Sequence, residues 1–256
     1  MNAQSYSPKE MMAIMAAREI NDGDVVFAGT GISMLAATAA KLISAPHAVI
    51  FFETGAMDSA IEELPMAVAD PRVMYGAASN TGLLDAFSFM QNPITGNRVI
   101  AILGAAQIDR YGNLNSTVIG DYDSPDTRFS GSGGACDVAS FVPRCIAFMM
   151  HEKRRFVKKV DYLTSPGQCQ NNRTRAENGL RPGGVNIVIT DKGVLRIDTG
   201  SGELYLDLYY PGIAVDDILD NMQFGVDTSR ARAADPPTGF ELATLREKCD
   251  PQRLIL

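Results

Sequence analysis

Two short apolar runs joined through an alanine-rich segment constrain the fold of this chain more than any other feature. Val25-Val26-Phe27-Ala28-Gly29 is too short for a helix and rich in β-branched and aromatic residues, the pattern of a buried strand. Gly29-Thr30-Gly31 supplies a tight turn. Ser33 to Ile43 reads as an Ala/Leu-rich helix stopped by Ser44-Ala45-Pro46, and Val49 to Phe52 is a second apolar strand. Strand, helix and strand at this spacing predict a parallel pair with a right-handed crossover. Arg98 to Gly104 reads as a further strand, and Val99-Ile100-Ala101-Ile102-Leu103 has the unbroken apolarity of one covered on both faces. The fold class that follows is α/β, an open, mostly parallel sheet flanked by helices.

Ser7-Pro8-Lys9-Glu10 predicts a helix start, with Ser7 as N-cap, Pro8 at the first helical position and Glu10 in the first turn. That helix is expected to run on through Met11 to Ile20. Gln107 to Thr117 is rich in Asn, Asp and Gly and reads as loop. A helix is expected over Asp137 to Phe141 and another buried run over Cys145 to Met150. Val185 to Thr190, Val194 to Asp198 and Leu204 to Tyr210 read as short strands with hairpin turns at Asp191-Lys192-Gly193 and Gly200-Ser201-Gly202. From Asp216 the expectation is a helix, a loop around Asp235-Pro236-Pro237, and a short helix. No internal repeat or linker interrupts the chain, so residues 1–256 read as a single domain.

Composition narrows the function classes. The net charge is −7, from 23 basic and 30 acidic residues, whereas a general nucleic-acid binder carries a basic patch or stripe. The amino terminus lacks a charged region followed by an apolar one, and no apolar run reaches the length of a membrane span. A cytoplasmic protein with no membrane partner is the expectation. Cys136, Cys145, Cys169 and Cys249 lack CxxC spacing, and His47 and His151 are the two histidines of the chain. Reduced thiols and no metal site follow.

Glu53 is the leading candidate for chemistry. It ends an apolar run and precedes Gly55, which permits a sharp turn, and open α/β sheets bind ligands at the carboxyl ends of their strands. There it would serve as a nucleophile or a base. The competing reading is a carboxylate that caps a helix N-terminus, with Asp58, Glu62 and Glu63 as further first-turn charges. Gly131-Ser132-Gly133-Gly134 offers consecutive backbone N–H groups for a developing oxyanion, or else is a flexible surface loop. Gly29-Thr30-Gly31 would hold an anion at a helix N-terminus or simply turn the chain, and Met34 breaks the GxGxxG spacing. Lys153-Arg154-Arg155, with Lys158 and Lys159, would bind a polyphosphate or form a solvated turn. No serine sits in a GxSxG elbow.

A set of ordered segments then carries a family resemblance. They are Val25 to Gly31, Glu53-Thr54-Gly55-Ala56-Met57-Asp58, Gly104 to Asp109, Tyr111 to Thr117, Thr127 to Ala135, His151 to Phe156 and Asp161 to Gly167. Together they resemble the β subunits of the class I coenzyme A transferases, most of all the glutaconate branch, over nearly the whole chain. The resemblance implies that Glu53 attacks an acyl-CoA thioester and comes to carry CoA as a glutamyl thioester. Gly131, Ser132, Gly133 and Gly134 match the family's glycine loop, with Gly133 and Gly134 the favoured oxyanion donors. Thr54, Gly55, Gln107 and Cys136 are implied to line the site.

The same resemblance implies acyl-CoA and carboxylic acid substrates, CoA thioester as substrate rather than a permanently bound cofactor, and an α subunit in a hetero-oligomer. Two departures leave the acyl group open: Cys136 stands where relatives often carry Asn, and Gln168 to Arg173 differs from the glutaconate branch. The alternatives are an acyl-CoA hydrolase of the same fold, including one that opens a cyclic oxo-acyl-CoA, and a non-catalytic partner-binding subunit. Presence of Glu53 favours transfer over both.

Overall fold

The computed structural model describes residues 5–256, which divide into two compact units. One comprises the chain up to Ile102 together with Pro236–Leu256, and the other comprises Leu103–Asp235.

The first unit contains, in chain order, α1 (Pro8–Arg18), β1 (Val25–Ala28), α2 (Ile32–Ile43), β2 (Val49–Phe51), β3 (Ala56–Met57), β4 (Ser79–Asn80), α3 (Leu83–Gln91) and the greater part of β5 (Val99–Gly104). β1 lies between β2 and β5 and is parallel to both, with Val25 opposite Val49 and Val99. The parallel β-α-β unit expected from the apolar runs is therefore present. β2, β3 and β4 continue the sheet as antiparallel neighbours. α1 starts as predicted: the Glu10 N–H donates to Ser7 Oγ at 3.2 Å and the Ser7 N–H donates to the Glu10 carboxylate at 2.7 Å, a reciprocal capping box. Residues Glu10 to Ala17 are buried all round the helix, so α1 is a core helix rather than a surface one. It packs on α2.

The second unit adds β6 (Gln107–Ile108), β7 (Leu114–Asn115), β8 (Val118–Gly120), β9 (Pro125–Arg128), α4 (Ala135–Phe141), β10 (Arg144–Phe148), β11 (Cys169–Gln170), β12 (Arg173–Thr174), β13 (Val185–Ile189), β14 (Gly193–Ile197), β15 (Leu204–Tyr209), α5 (Val215–Leu219) and β16 (Arg232–Ala233). β10 is parallel to β13, while β13, β14 and β15 form the two predicted hairpins. Gln107 to Thr117 is not plain loop. It folds as the β6–β7 hairpin, because Ile108 and Leu114 are fully buried and the Asp109 carboxylate ties the turn by accepting from the N–H groups of Tyr111 and Asn113 at 2.9 and 3.2 Å. The helix expected from Asp216 is only α5. The chain leaves it because Met222 and Phe224 turn inward and the Gln223 N–H donates to the Phe156 carbonyl at 2.9 Å.

The carboxyl-terminal part of the first unit forms α6 (Gly239–Thr244), with Thr238 and Glu241 as a second capping box. Both capping glutamates are claimed again by distant arginines. Arg246 reaches Glu10 at 2.5 Å, and Arg18 reaches Glu241 at 2.8 Å. The Arg246 guanidinium holds the Glu10 carboxyl below the usual carboxylate range. Each terminus of the chain thus stabilises the helix start of the other. Among the described residues no helix is long and apolar enough to cross a membrane, and no cluster of three or more His, Cys, Asp or Glu could hold a metal ion.

His151 links the fold to pH. It is buried in the second unit, stacks on Phe156 at 4.4 Å and bonds through Nε2 to the Ile218 carbonyl at 3.0 Å, while Nδ1 has no partner. Burial pushes its pKa from 6.5 down to about 4. An unfolded chain takes up a proton below about 6.5 that the folded chain refuses until about 4, so stability falls as pH drops through this window. The loss at the acid end is at most roughly 3 kcal/mol. Urea unfolding of wild type and His151→Phe at pH 7 and pH 4.5 checks this. The variant should lose less stability on acidification, and an equal loss in both proteins would contradict the assignment.

Candidate active site

Glu53 sits at the corner of a tight reversal in the first unit. β2 runs into Phe52, and the Gly55 N–H donates to the Phe52 carbonyl at 2.9 Å, which makes Glu53 and Thr54 the two central residues of a β-turn. The chain then returns as β3, with the Phe52 N–H donating to the Ala56 carbonyl at 3.0 Å. The helix-capping reading of Glu53 fails on this geometry, because a strand follows the turn. Asp58, Glu62 and Glu63 are likewise not first-turn charges. Asp58 holds a positive φ of 51° and pairs with Lys41, and Glu63 pairs with Arg72 at 3.1 Å.

The base of the turn is rigid. Phe51 and Phe52 are fully buried, and Phe51 meets Phe27 and Phe89 edge-on at 5.3 and 5.7 Å. Gly55 is required twice over. Its φ is +97°, and a Cβ there would lie 2.1 Å from the Thr81 carbonyl oxygen. Thr81 in turn donates its N–H to the Gly55 carbonyl at 2.9 Å. With its neighbours committed to the core, the half-buried Glu53 carboxylate has no hydrogen-bond or ion-pair partner among the described residues. The adjacent Thr54 hydroxyl is buried and also unpartnered. A carboxylate with unoccupied lone pairs, carried on a fixed turn, is suited to nucleophilic attack.

The glycine loop lies in the second unit and leads into α4. Gly131 and Gly133 have φ of +95° and +48°, and the space their Cβ atoms would fill is open. Ser132 stiffens the loop: its carbonyl accepts from the Ala135 N–H at 2.9 Å and its hydroxyl from the Cys136 N–H at 3.2 Å. The N–H groups of Gly131, Ser132, Gly133 and Gly134 donate to no group among the described residues. Four successive free amides on this loop are available as hydrogen-bond donors, the type of group that stabilises an oxyanion. Cys136 is exposed in the first turn of α4.

Gln107 is placed differently. Its side chain is buried and bonded through both its nitrogen and its oxygen, donating to Asp161 at 3.0 Å and accepting from Asn115 and from the Asp161 N–H at 2.8 and 3.0 Å. Of the basic cluster, Arg154 and Arg155 both pair with Glu152. Lys158 and Lys159 instead line a cleft of about 480 Å³ with Asp109, Asn113, Cys169 and Asn171. Reading the residues one by one misses Ser116, Thr164 and Arg175, which hold the glycine loop and α4. Ser116 donates to the Gly131 carbonyl at 3.3 Å, and its N–H donates to Thr164 Oγ1 at 2.9 Å. Ser116 and Thr164 lie within the segments that carry the resemblance, but nothing local singles them or Arg175 out; only their partners do.

The coenzyme A transferase family profile matches residues 9–221 of the chain. The β-type subunit of glutaconate CoA-transferase from Acidaminococcus fermentans is 42% identical over 98% of this chain and 96% of its own. The crystal structure of that organism's glutaconate coenzyme A-transferase superposes with a TM-score of 0.93 at 40% identity, covering 98% of this chain and 97% of the other. The β-type subunit of 3-oxoadipate CoA-transferase from Pseudomonas knackmussii is 32% identical over 94% of this chain and 93% of its own. The crystal structure of the decarboxylase AibA/AibB matches with a TM-score of 0.82 at 25% identity, covering 98% of this chain and 97% of that one. With the match spanning most of the sequence and both transferase relatives aligned almost end to end, this chain belongs to the coenzyme A transferase family.

Proposed function

We propose that this chain is the β subunit of a CoA-transferase that moves CoA from an acyl-CoA to a carboxylic acid, with Glu53 as the covalent nucleophile. The observation that carries this reading is the unpartnered Glu53 carboxylate on a turn braced by Phe51, Phe52 and Gly55. The names of the relatives support the broader part, since the glutaconate and 3-oxoadipate CoA-transferase relatives are each named as one subunit of their enzyme. An α-type subunit is the partner proposed to complete the enzyme.

The chemistry balances without water or an outside proton. A Glu53 oxygen attacks the thioester carbonyl, the C–O bond forms, the C–S bond breaks, and CoA leaves as thiolate. The product is a mixed anhydride between Glu53 and the acyl group. The thiolate then attacks Cδ of Glu53, forming a C–S bond and expelling the first acid as its carboxylate. An incoming carboxylate attacks the same carbon, releases CoA thiolate and forms a new anhydride. Thiolate attack on the acyl carbonyl of that anhydride yields the new acyl-CoA and restores Glu53. Each tetrahedral intermediate carries an oxyanion, and the amides of Gly131 to Gly134, above all Gly133 and Gly134, are the proposed donors. Water must be excluded throughout, because it would hydrolyse both the anhydride and the thioester.

Co-expression with the α-type partner, followed by incubation with acyl-CoA alone and then borohydride, tests the mechanism. Reduction should be found at Glu53, and Glu53→Gln should fold normally and lose transfer by about 10⁴-fold or more. An unchanged rate in Glu53→Gln would sink the nucleophile assignment. Steady CoA release with no acceptor acid would identify a hydrolase instead. Gly55→Ala should lower both the melting temperature and kcat, since alanine disfavours the positive φ and meets Thr81. A folded Gly55→Ala enzyme with wild-type kcat would show that turn geometry does not set the position of Glu53.

A further inference from the structure

We infer that Arg175 is a positioning residue for the glycine loop, acting together with the Thr164–Gly167 segment. The inference rests on the reading of that loop as the oxyanion donor.

Arg175 is buried, and its guanidinium donates to five backbone carbonyls and to no carboxylate. Nε reaches Arg181 at 2.8 Å, Nη1 reaches Pro166 and Gly167 at 3.1 Å each, and Nη2 reaches Ala139 and Ser140 at 3.0 and 3.1 Å. Burying a cation without a counter-ion is expensive, so this placement calls for an explanation beyond filling space. Arginine alone presents five N–H donors in one rigid plane. Here that plane joins three stretches of chain that are separate in sequence.

The arrangement concerns the loop because of which carbonyls are taken. Ala139 and Ser140 belong to the last turn of α4, where carbonyls lack intrahelical partners and a cation is favoured. The first turn of α4 is the exit of the Gly131–Gly134 loop. Pro166 and Gly167 adjoin Thr164, which reaches the other end of the loop through Ser116. Thr164 Oγ1 accepts from the Ser116 N–H at 2.9 Å and contacts Thr117 Oγ1 at 2.7 Å, while Ser116 Oγ donates to the Gly131 carbonyl at 3.3 Å. One segment, Thr164–Gly167, therefore holds the loop upstream through Ser116 and downstream through Arg175 and α4. Gly131 is itself the upstream grip through its carbonyl, and Gly133, the other loop glycine with positive φ, lies between the grips; nothing in the second unit crowds either. Their amides keep a direction because both ends are fixed.

Lysine at position 175 would keep the charge at the end of α4, but one ammonium cannot span three segments. In the assembled enzyme, Arg175→Lys and Arg175→Met should lower kcat, toward the order of 10²-fold for Met, with the KM for acyl-CoA changed by no more than about 3-fold. The single-turnover rate of CoA attachment to Glu53 should fall in parallel. A purely structural role would lower the melting temperature and leave kcat per folded enzyme unchanged. Thr164→Val, nearly isosteric, tests the upstream grip and should give the same kcat pattern in weaker form, so the inference stays testable if neither Arg175 variant folds. Folded variants with wild-type kcat and single-turnover rate would overturn it. If Glu53→Gln loses transfer while these variants keep it, the positioning role alone has failed; if Glu53→Gln keeps transfer, the underlying reading has failed.

Discussion

The reversal at Phe52–Gly55 is the constraint on which the rest of the candidate site depends. A buried parallel strand has no freedom at its end, because Phe51 and Phe52 are committed to the core and Phe51 also to ring contacts with Phe27 and Phe89. The chain must turn within two residues, and Gly55 makes this possible by taking a positive φ against the Thr81 backbone. What is left at the corner is a carboxylate that no other group among the described residues has claimed. A glutamate withdrawn from water is usually paired, as the buried Glu10 and Glu241 are with Arg246 and Arg18 in this chain. The contrast between those paired glutamates and the unpartnered Glu53 is what supports the proposed role of Glu53.

The second unit solves a different problem, that of keeping a glycine-rich loop ordered without filling it. Its answer is a polar framework. Asp109 ties the β6–β7 turn, and burial raises its pKa despite the bonds it accepts from Asn113 and Tyr111. Asn115, fully buried, joins Gln107 to the carbonyl of Val118. Buried polar groups of this kind are costly unless satisfied, and when satisfied they fix a unique arrangement. The framework passes from Gln107 through Asn115 and Ser116 to the loop, so Gln107 contributes through its neighbours, its own side-chain groups being already bonded.

Much of this is legible from residue order alone. The apolar runs at 25–29, 49–52 and 99–103 place three parallel strands, and Ser7-Pro8-Lys9-Glu10 places a helix start whose capping box has both of its bonds. These features depend on residues within a few positions of one another, where periodicity and side-chain chemistry act directly. The hairpin over 107–115 reads as loop because its Asn, Asp and Gly content is that of a turn, while the strands flanking that turn are only two residues long. Residue order places Glu53 at its strand end, but whether it caps a helix is decided only by β3, which follows it.

By itself, then, the sequence determined the α/β class, most of the local starts and stops and the family, and it marked a strand-end glutamate and a glycine loop as separate candidates. Tertiary structure alone decided which charges are spent and which are free. Glu10 meets Arg246 across 236 residues of chain, Gly55 meets Thr81, and Arg175 gathers carbonyls from α4, the 166–167 turn and Arg181. The physical reason is that local propensity acts over a turn or two of chain, whereas the partner of a hydrogen bond or an ion pair is whatever group folding brings within about 3 Å.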